Sequence, residues 1–435
     1  MTPLRAVKGM NDLLPGEMAR WHTVEATFAR TMSLAGFREI RTPYVEPTPL
    51  FVRAIGEATD VVEKEMYSFL HHDEPLTLRP EGTAGAARAY VQHLIHNQEP
   101  VTRWYYMGPM FRAERPQRGR YRQFYQAGAE IFGDAGPGSD AELIDTLVSF
   151  LTAIGISELE VVVNSLGGPD ARAKYKDALV AWLTPKKDLL SAESQRRLGT
   201  NPLRILDSKN PRDLETVADV PSLAEFIDES DRAHFAELEK HLKALGTPYR
   251  VEPRLVRGLD YYTRTLFEIK GATTLLGAGN TLVGGGRYDG MIADLGGPKV
   301  PAIGFAAGLE RLLIASGESA KEPVVDVVVA ALRGSDATSA ALVLARDLRR
   351  AGISCDADTR GAQVGRQIKR ANDLGARIAI ILGDKELADG AVEVKNLDQH
   401  AQARVATADV VRHVVAQLAM PRAATPAAVS GTDET

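Results

Sequence analysis

Met107 to Phe132 reads MGPMFRAERPQRGRYRQFYQAGAEIF, and the reading of this stretch decides the fold. Five arginines, Arg112, Arg115, Arg118, Arg120 and Arg122, gather around one acid, Glu114, and a Pro-Gln-Arg-Gly turn separates two strand-like runs. If the second run is extended, its side chains alternate between faces. Phe124, Gln126, Gly128 and Glu130 then share one face, and Tyr125, Ala127 and Ala129 the other. One face thus carries a ring, an amide and a carboxylate in a row. A core strand does not spend inward positions on Gln and Glu, because each unpaired polar group costs roughly 1–3 kcal/mol when desolvated. The face reads as the floor of a binding site, whereas the arginine cluster alone reads as a solvated loop.

Upstream, Met18, Trp21, Val24, Phe28 and Met32 recur at helical spacing from Pro15, and Gly36 suits the stop. An extended run over 37–44 follows, and its Pro43, which cannot donate to a ladder, belongs at an edge or interface. Downstream, 139–155 reads as a helix and 159–164 as a strand. Residues from about 170 to 245 are rich in charge, Leu and Ala and read as a helical insertion broken by SKNP and ADVP. Strand chemistry returns over 249–269, and glycine-rich turns lead to a helix near Gly308. The order suits an α+β domain with an antiparallel sheet, over 1–322. After a linker at 315–323 the texture changes. VVDVVVAAL, GISCDAD and ARIAIILG alternate with helical stretches near 337–351 and 366–374, which predicts a small α/β domain with a largely parallel core over 323–420. The tail 421–435 is expected to be disordered.

A chain of 435 residues can bury two or three proper cores. With 44% apolar and 25% charged residues, neither a disordered nor a membrane class is favoured. The formal net charge of −5 argues against a globally basic nucleic-acid binder, so RNA contacts must come from local patches. The opening MTPLRAVKGMNDLLPGE lacks the apolar segment of a secretory signal, and no run nears the about 20 apolar residues that span a bilayer. A cytoplasmic protein without a membrane partner is expected. The single cysteine, Cys355, excludes an intrachain disulfide and a Cys-based zinc site, and reads as a core strand position. No metal-ligating residue is assigned.

Three further strings carry chemistry. LRPEGT (78–83) places Glu81 and Thr83 at a turn ahead of a helical stretch over 84–95. Helix capping explains both, and the same carboxylate and hydroxyl could hold an ammonium group. LVRGLDYY (255–262) and GGGRYDG (284–290) are not phosphate loops, since no Gly-x-x-x-x-Gly-Lys-Ser/Thr pattern exists in the chain. GFAAGLER (304–311) could be a small-residue packing face.

The order Phe-Arg-x-Glu, loop, Arg-x-x-x-Phe over Phe111, Arg112, Glu114, Arg120 and Phe124 resembles motif 2 of the class II aminoacyl-tRNA synthetases. GFAAGLER resembles motif 3, and the helix-strand-Pro unit corresponds to motif 1, the dimer interface of that class. LVRGLDYY and GGGRYDG closely resemble the two signatures of histidyl-tRNA synthetases, and the resemblance runs from Lys8-Gly9-Met10-Asn11-Asp12 into the C-terminal domain. It implies activation of histidine by ATP to histidyl-adenylate, then transfer to the 3′ end of histidine tRNA by a homodimer. In this resemblance Arg112 and Arg257 are catalytic and hold the α-phosphate, Arg257 standing where many class II enzymes keep a metal. Glu114 reads the adenine amino group and Phe124 stacks on the base. Arg120 and Arg311 complete the ATP site, and Mg²⁺ bridges the outgoing phosphates. Glu81, Thr83 and Gln126 hold the α-amino group. Glu130 and Tyr262 hold the imidazole nitrogens, with Gly82, Tyr261 and Tyr288 around them.

Arg115, Gln117 and Arg122 are placed toward the tRNA acceptor end. Arg366, Lys369 and Arg370, with Arg360 and Arg377, form the patch of an anticodon-reading domain. The alternatives are a histidine-binding regulator, a tRNA-sensing module attached to a kinase, and a synthetase for proline, threonine or glycine. The two histidine signatures, the retained arginines and the C-terminal domain weigh against them.

Overall fold

The computed structural model describes residues 3–57, 59–206, 208–257, 259–272, 280–317, 323–333 and 335–421. The chain divides into two compact units, Met1–Ser319 and Ala320–Thr435. The domain boundary expected at residue 322 and the tail beyond residue 421 lie outside the described residues.

The first unit carries β1 (Arg38–Glu39), β2 (Val45–Pro47), β3 (Tyr67–His71), β4 (Glu74–Leu78), β5 (Thr102–Phe111), β6 (Gln123–Phe132), β7 (Leu159–Ser165), β8 (Tyr249–Val251), β9 (Thr263–Gly271), β10 (Thr281–Arg287) and β11 (Ala302–Gly308). The main sheet runs β1-β5-β6-β11-β10-β9-β7-β8, and β2-β4-β3 form a small second sheet. The inner pairs are antiparallel, as expected, but the rim pairs β1/β5 and β7/β8 are parallel. The extended run expected over 37–44 shrinks to the two residues of β1.

Alternation along the central strands separates a core face from a site face. Ala127, Ala129 and Ile131 of β6, Ile303, Phe305 and Ala307 of β11 and Phe267 and Ile269 of β9 enter one buried cluster. Helices Pro15–Leu34, Pro137–Ala153 and Leu309–Ala315 contribute to the same cluster. In the first of these Trp21, Val24, Phe28 and Met32 are the buried stripe, and Gly36 at φ 79° follows its end. The opposite face of the same strands presents Gln126 and Gly128, then Gly304 and Ala306, then Gly284 and Gly286. Side chains this small leave room above the sheet, so the site face is hollow where the core face is filled.

Two readings are corrected. The helical stretch expected from about 170 to 245 is present between β7 and β8, but it packs in two parts. Helices Pro169–Leu183 and Ala192–Thr200, with 203–223, build a separate cluster against Val162 of β7, Leu255, Val256, Tyr262 and Leu266. Helix Glu229–Leu245 instead sends Leu238 and Leu242 into the core on the other side of the sheet. Amphipathic periodicity shows that a helix has an apolar stripe but not which face of a sheet the stripe covers. Strand structure expected over 249–269 is interrupted across 252–262. The Asn164 side-chain amide supports this loop by donating to the carbonyls of Pro253 (3.2 Å) and Leu255 (3.0 Å).

In the second unit β12 (Val327–Ala331), β13 (Cys355–Asp358) and β14 (Ile378–Leu382) are parallel, in the order β13-β12-β14. An unanticipated antiparallel hairpin, β15 (Ala391–Asn396) and β16 (Ala401–Ala406), extends the sheet. Val327 and Val329 pack under helices Ser335–Arg350 and Val410–Leu418, while Val328 faces helix Val364–Asp373. Cys355 is buried, and burial pushes its thiol up to about 11.

Candidate active site

A cavity of about 1050 Å³ opens over the hollow face, with Phe124 and Gln126 of β6, Gly304 and Ala306 of β11, Gly284 of β10 and Glu268 of β9 among its lining residues. Glu81, Thr83, Arg112, Glu114, Arg120, Arg257, Tyr261, Tyr262, Tyr288 and Arg311 also line it. Twelve of the residues singled out in the sequence therefore meet in one space, although they come from five separate strings.

Arg112 follows the end of β5, and its Nε donates to the Pro80 carbonyl at 2.9 Å. The guanidinium carbon stands 5.5 Å from the centre of the Phe124 ring. Its terminal nitrogens have no hydrogen-bond partner among the described residues. Arg257 lies in the 252–262 loop, not on a strand as expected, and its Nη1 pairs with Glu268 at 2.6 Å. Burial opposes its charge but is outweighed by the neighbouring tyrosines and Glu268, so its affinity for the proton rises. Its Nε is buried and unpartnered. Arg311 is fixed by a 2.9 Å bond from Nε to the Thr281 carbonyl, and burial, with Arg120 nearby, weakens its hold on its proton. Arg120 and Glu114 form a loose pair at 3.8 Å.

Glu81 unites the two readings of its string. One oxygen caps the helix by accepting from the Ala84 N–H (3.3 Å), and the other accepts from the Tyr261 hydroxyl (3.3 Å). Burial raises its pKa. Gln126 is buried, and its Oε1 has no partner. Glu130 is fully buried and lies beneath the lining, where its oxygens accept from the Tyr106 hydroxyl (2.9 Å) and from the Tyr288 hydroxyl. Desolvation pushes this carboxyl up to about 8. Gly82 does not line the cavity. A Cβ there would fall 2.0 Å from the Tyr106 ring, so this glycine makes room for Tyr106.

The tRNA candidates part company. Gln117 and Arg120 close a tight turn through reciprocal backbone bonds of 3.0 and 2.9 Å, with Gly119 at φ 73° inside it. Arg115 and Gln117 are exposed there. Arg122 is turned back to the root of the loop, where it donates to the carbonyls of Glu114 (3.3 Å) and Lys8 (3.4 Å). In the second unit Arg366 and Lys369 are exposed on one helix, whereas Arg370 pairs with Asp356 and Arg360 with Asp358. Arg377 ties Asp398 (3.0 Å) to the carbonyls of Leu418 and Met420.

Several contributors escaped sequence reading. Tyr106 links Thr83 (3.3 Å) to Glu130 and passes between Gly82 and Gly128. Arg287, inside GGGRYDG, is wholly buried against Asp140 (2.6 Å), which also accepts from Thr265 and contacts His234 at 3.0 Å. A buried pair of this kind needs its surrounding bonds to offset the loss of hydration. Arg287 obtains them from the carbonyls of Asp134 and Gly136. The only signal in the sequence was the arginine itself.

An antiparallel-centred sheet with an arginine-lined cavity on its hollow face, flanked by these motifs, defines a class II aminoacyl-tRNA synthetase. Residues 9–312 match the family model "Histidyl-tRNA synthetase", and residues 326–417 match "Anticodon binding domain". The chain belongs to the histidyl-tRNA synthetase family. It is 55% identical over 402 residues to the histidine–tRNA ligase of Sorangium cellulosum (strain So ce56), covering 92% of this chain and 94% of that one. The crystal structure of apo S. aureus histidyl-tRNA synthetase superimposes with a TM-score of 0.79 at 34% identity, over 95% of this chain and 100% of that one. The enzyme from Nostoc sp. PCC 7120, at 21% identity and a TM-score of 0.67 over 96% of this chain and all of its own, shares the fold.

Proposed function

We propose that this chain is a histidine–tRNA ligase that activates L-histidine with ATP in the cavity over β6, β11 and β10, then transfers it to the 3′ end of histidine tRNA. The carrying observation is the convergence of Arg112, Arg120, Arg257 and Arg311 in one cavity with a buried Gln126 whose Oε1 has no partner. The substrate carboxylate attacks the α-phosphorus as the bond to pyrophosphate breaks. The ribose hydroxyl of the tRNA then attacks the activated carbonyl and AMP leaves. No protein nucleophile is required, and the enzyme contributes positioning and charge.

Arg112 and Arg257 hold the α-phosphate, a task suited to a fork that remains protonated and makes two parallel bonds. Phe124 offers its ring to the adenine and Glu114 accepts from the adenine amino group. Arg120 and Arg311 take the outer phosphates. Mg²⁺ enters with ATP.

Gln126, with Glu81 and Thr83, receives the α-amino group, which supplies the donor that the Gln126 oxygen lacks. Glu130 and Tyr262 take the imidazole nitrogens, with Tyr261 and Tyr288 enclosing the ring. Each Glu130 oxygen retains a lone pair beyond its tyrosine bond. A pocket so equipped rejects amino acids without ring nitrogens by ~10⁴-fold, because its own groups would be left unpaired.

Arg115 and Gln117, exposed on the motif 2 turn, suit the acceptor end. Arg366 and Lys369 suit backbone phosphates near the anticodon. The proposal includes a homodimer and a cytoplasmic location; among the described residues no helix is long and apolar enough to cross a membrane. Exchange of labelled pyrophosphate into ATP tests the reading. It should require histidine, and exchange driven by another amino acid, or by none, rejects it.

A further inference from the structure

Two loops wall the amino-acid end of the cavity, one carrying Asp60 and one carrying Arg257, Tyr261 and Tyr262, and the helical insertion grips both. Arg172, on helix Pro169–Leu183, pairs through Nη2 with the Asp260 carboxylate. Its Nη1 donates to the Asp260 carbonyl and to the Tyr262 carbonyl, the latter at 3.2 Å. Three contacts from one guanidinium thus fix the backbone on both sides of Tyr261. Arg197 and Arg204, also of the insertion, meet Asp60 at 3.2 and 2.9 Å. Burial of Asp60 opposes its charge, but these two arginines outweigh it and hold its pKa below the ordinary value. The loops also touch each other, since the Asp260 N–H donates to the Ile55 carbonyl at 3.3 Å. Gly56, at φ 99°, leaves room for Asp260, whose Cβ would lie 3.1 Å from a Cβ placed there. Behind the loop, Leu255, Val256 and Tyr262 are buried in the insertion's own apolar cluster with Tyr175, Leu179 and Leu183.

The polar grip and the apolar backing therefore both come from the insertion, and Arg172 itself stands outside the cavity that Tyr261 and Tyr262 line. We infer that Arg172 is a positioning residue for amino-acid recognition, and that through it the insertion and the histidine pocket are energetically coupled. The coupling is reciprocal. Histidine that draws Tyr261 and Tyr262 onto itself tightens the insertion, and a displacement of the insertion is felt as a change in histidine affinity. Arg172 bonds to the loop at Asp260 and Tyr262, on either side of Tyr261 and beyond Arg257, so its influence falls first on histidine.

This inference rests on histidine being the amino-acid substrate, and the experiment separates the two. Equilibrium dialysis of labelled histidine against the full-length wild-type chain comes first; if the wild type does not bind histidine, the substrate assignment fails. Given that binding, Arg172→Ala should raise the Kd for histidine about tenfold or more, as displaced contact groups commonly do, with the Kd for ATP unchanged within twofold. Arg172→Lys keeps the charge but cannot span three acceptors, and should fall between. Asp260→Asn, which preserves shape, provides a second route if Arg172→Ala does not fold. Hydrogen exchange over 169–183 should slow when histidine is added to the wild type and respond less in either variant. Wild-type histidine affinity in both variants overturns the inference. A parallel loss of histidine affinity, ATP affinity and thermal stability also overturns it, because that pattern belongs to a brace needed only for folding.

Discussion

Arg257 is the residue with most at stake in the proposed chemistry, because it is held by Glu268 and still has a buried Nε without a partner. Its contact with phosphate matters most when charge develops in the transition state. Arg257→Ala should leave histidine and ATP binding within a few-fold while single-turnover adenylation falls by ~10² or more. A near wild-type adenylation rate would remove Arg257 from the mechanism. Glu130 makes a pH-dependent prediction. Burial raises its carboxyl from the ordinary 4.5 to about 8, so the folded protein holds a proton that the unfolded chain releases between those values. Its contribution to stability is full below the unfolded pKa and is lost as pH rises through the folded one. A neutral imidazole that donates its N–H to Glu130 favours the carboxylate and reverses this trend. The rise in Tm produced by saturating histidine should therefore grow between pH 6 and 8.5, and Glu130→Gln should flatten the portion due to this group. Histidine's own titration is common to both proteins, so their difference isolates Glu130. Equal pH profiles would place the proton elsewhere.

At the scale of elements, the three glycines of β10 do different work. A Cβ on Gly284 would lie 2.3 Å from Arg257 Nη2, whereas one on Gly285 would meet the Gly304 carbonyl at 2.4 Å and one on Gly286 the Thr265 carbonyl at 2.5 Å. The first obstacle is the end of a side chain and the other two are backbone. Gly284→Ala should therefore keep its thermal stability and lose adenylation about tenfold or more, since it displaces a group that acts in the transition state. Gly285→Ala and Gly286→Ala should instead lose about 1–3 kcal/mol of stability through overpacking, read by urea unfolding. If Gly284→Ala is the least stable of the three and retains full rate, the strand is packing alone.

Across the whole molecule, every residue proposed for histidine or ATP lies in the first unit, and that unit has its own apolar cores. The second unit likewise has its own. Truncation after Ser319 should preserve some histidine-dependent pyrophosphate exchange and sharply weaken tRNA charging, because phosphate attraction and anticodon contacts go with the second unit. Light scattering on the same samples would establish whether both proteins are dimers. Charging by the truncated chain at unchanged kcat/KM would mean that the second unit does not read tRNA.

The period-two pattern in FYQAGAE was legible because a strand's two faces follow from backbone geometry alone, and it identified both the sheet and the floor of the site. The order of motifs made Arg112, Arg257, Glu81, Gln126 and the tyrosines legible as one constellation. Local rules end where partners are distant in the chain. Nothing near Asp140 points to Arg287, nothing near Asp260 points to Arg172, and Tyr106 between two glycines reads as one more aromatic strand residue. Within a single loop, charge is visible in the sequence but direction is not, so Arg115 and Arg122 looked alike until one proved exposed and the other bound to the Lys8 and Glu114 carbonyls. The sequence by itself thus determined the central strands, the helical stripes and the family. Tertiary structure alone decided which face the helix Glu229–Leu245 covers, which arginines are spent on structure and what holds the loop that carries Arg257 and Tyr262. Those choices depend on desolvation and on long-range pairing, which exist only once the chain has closed on itself.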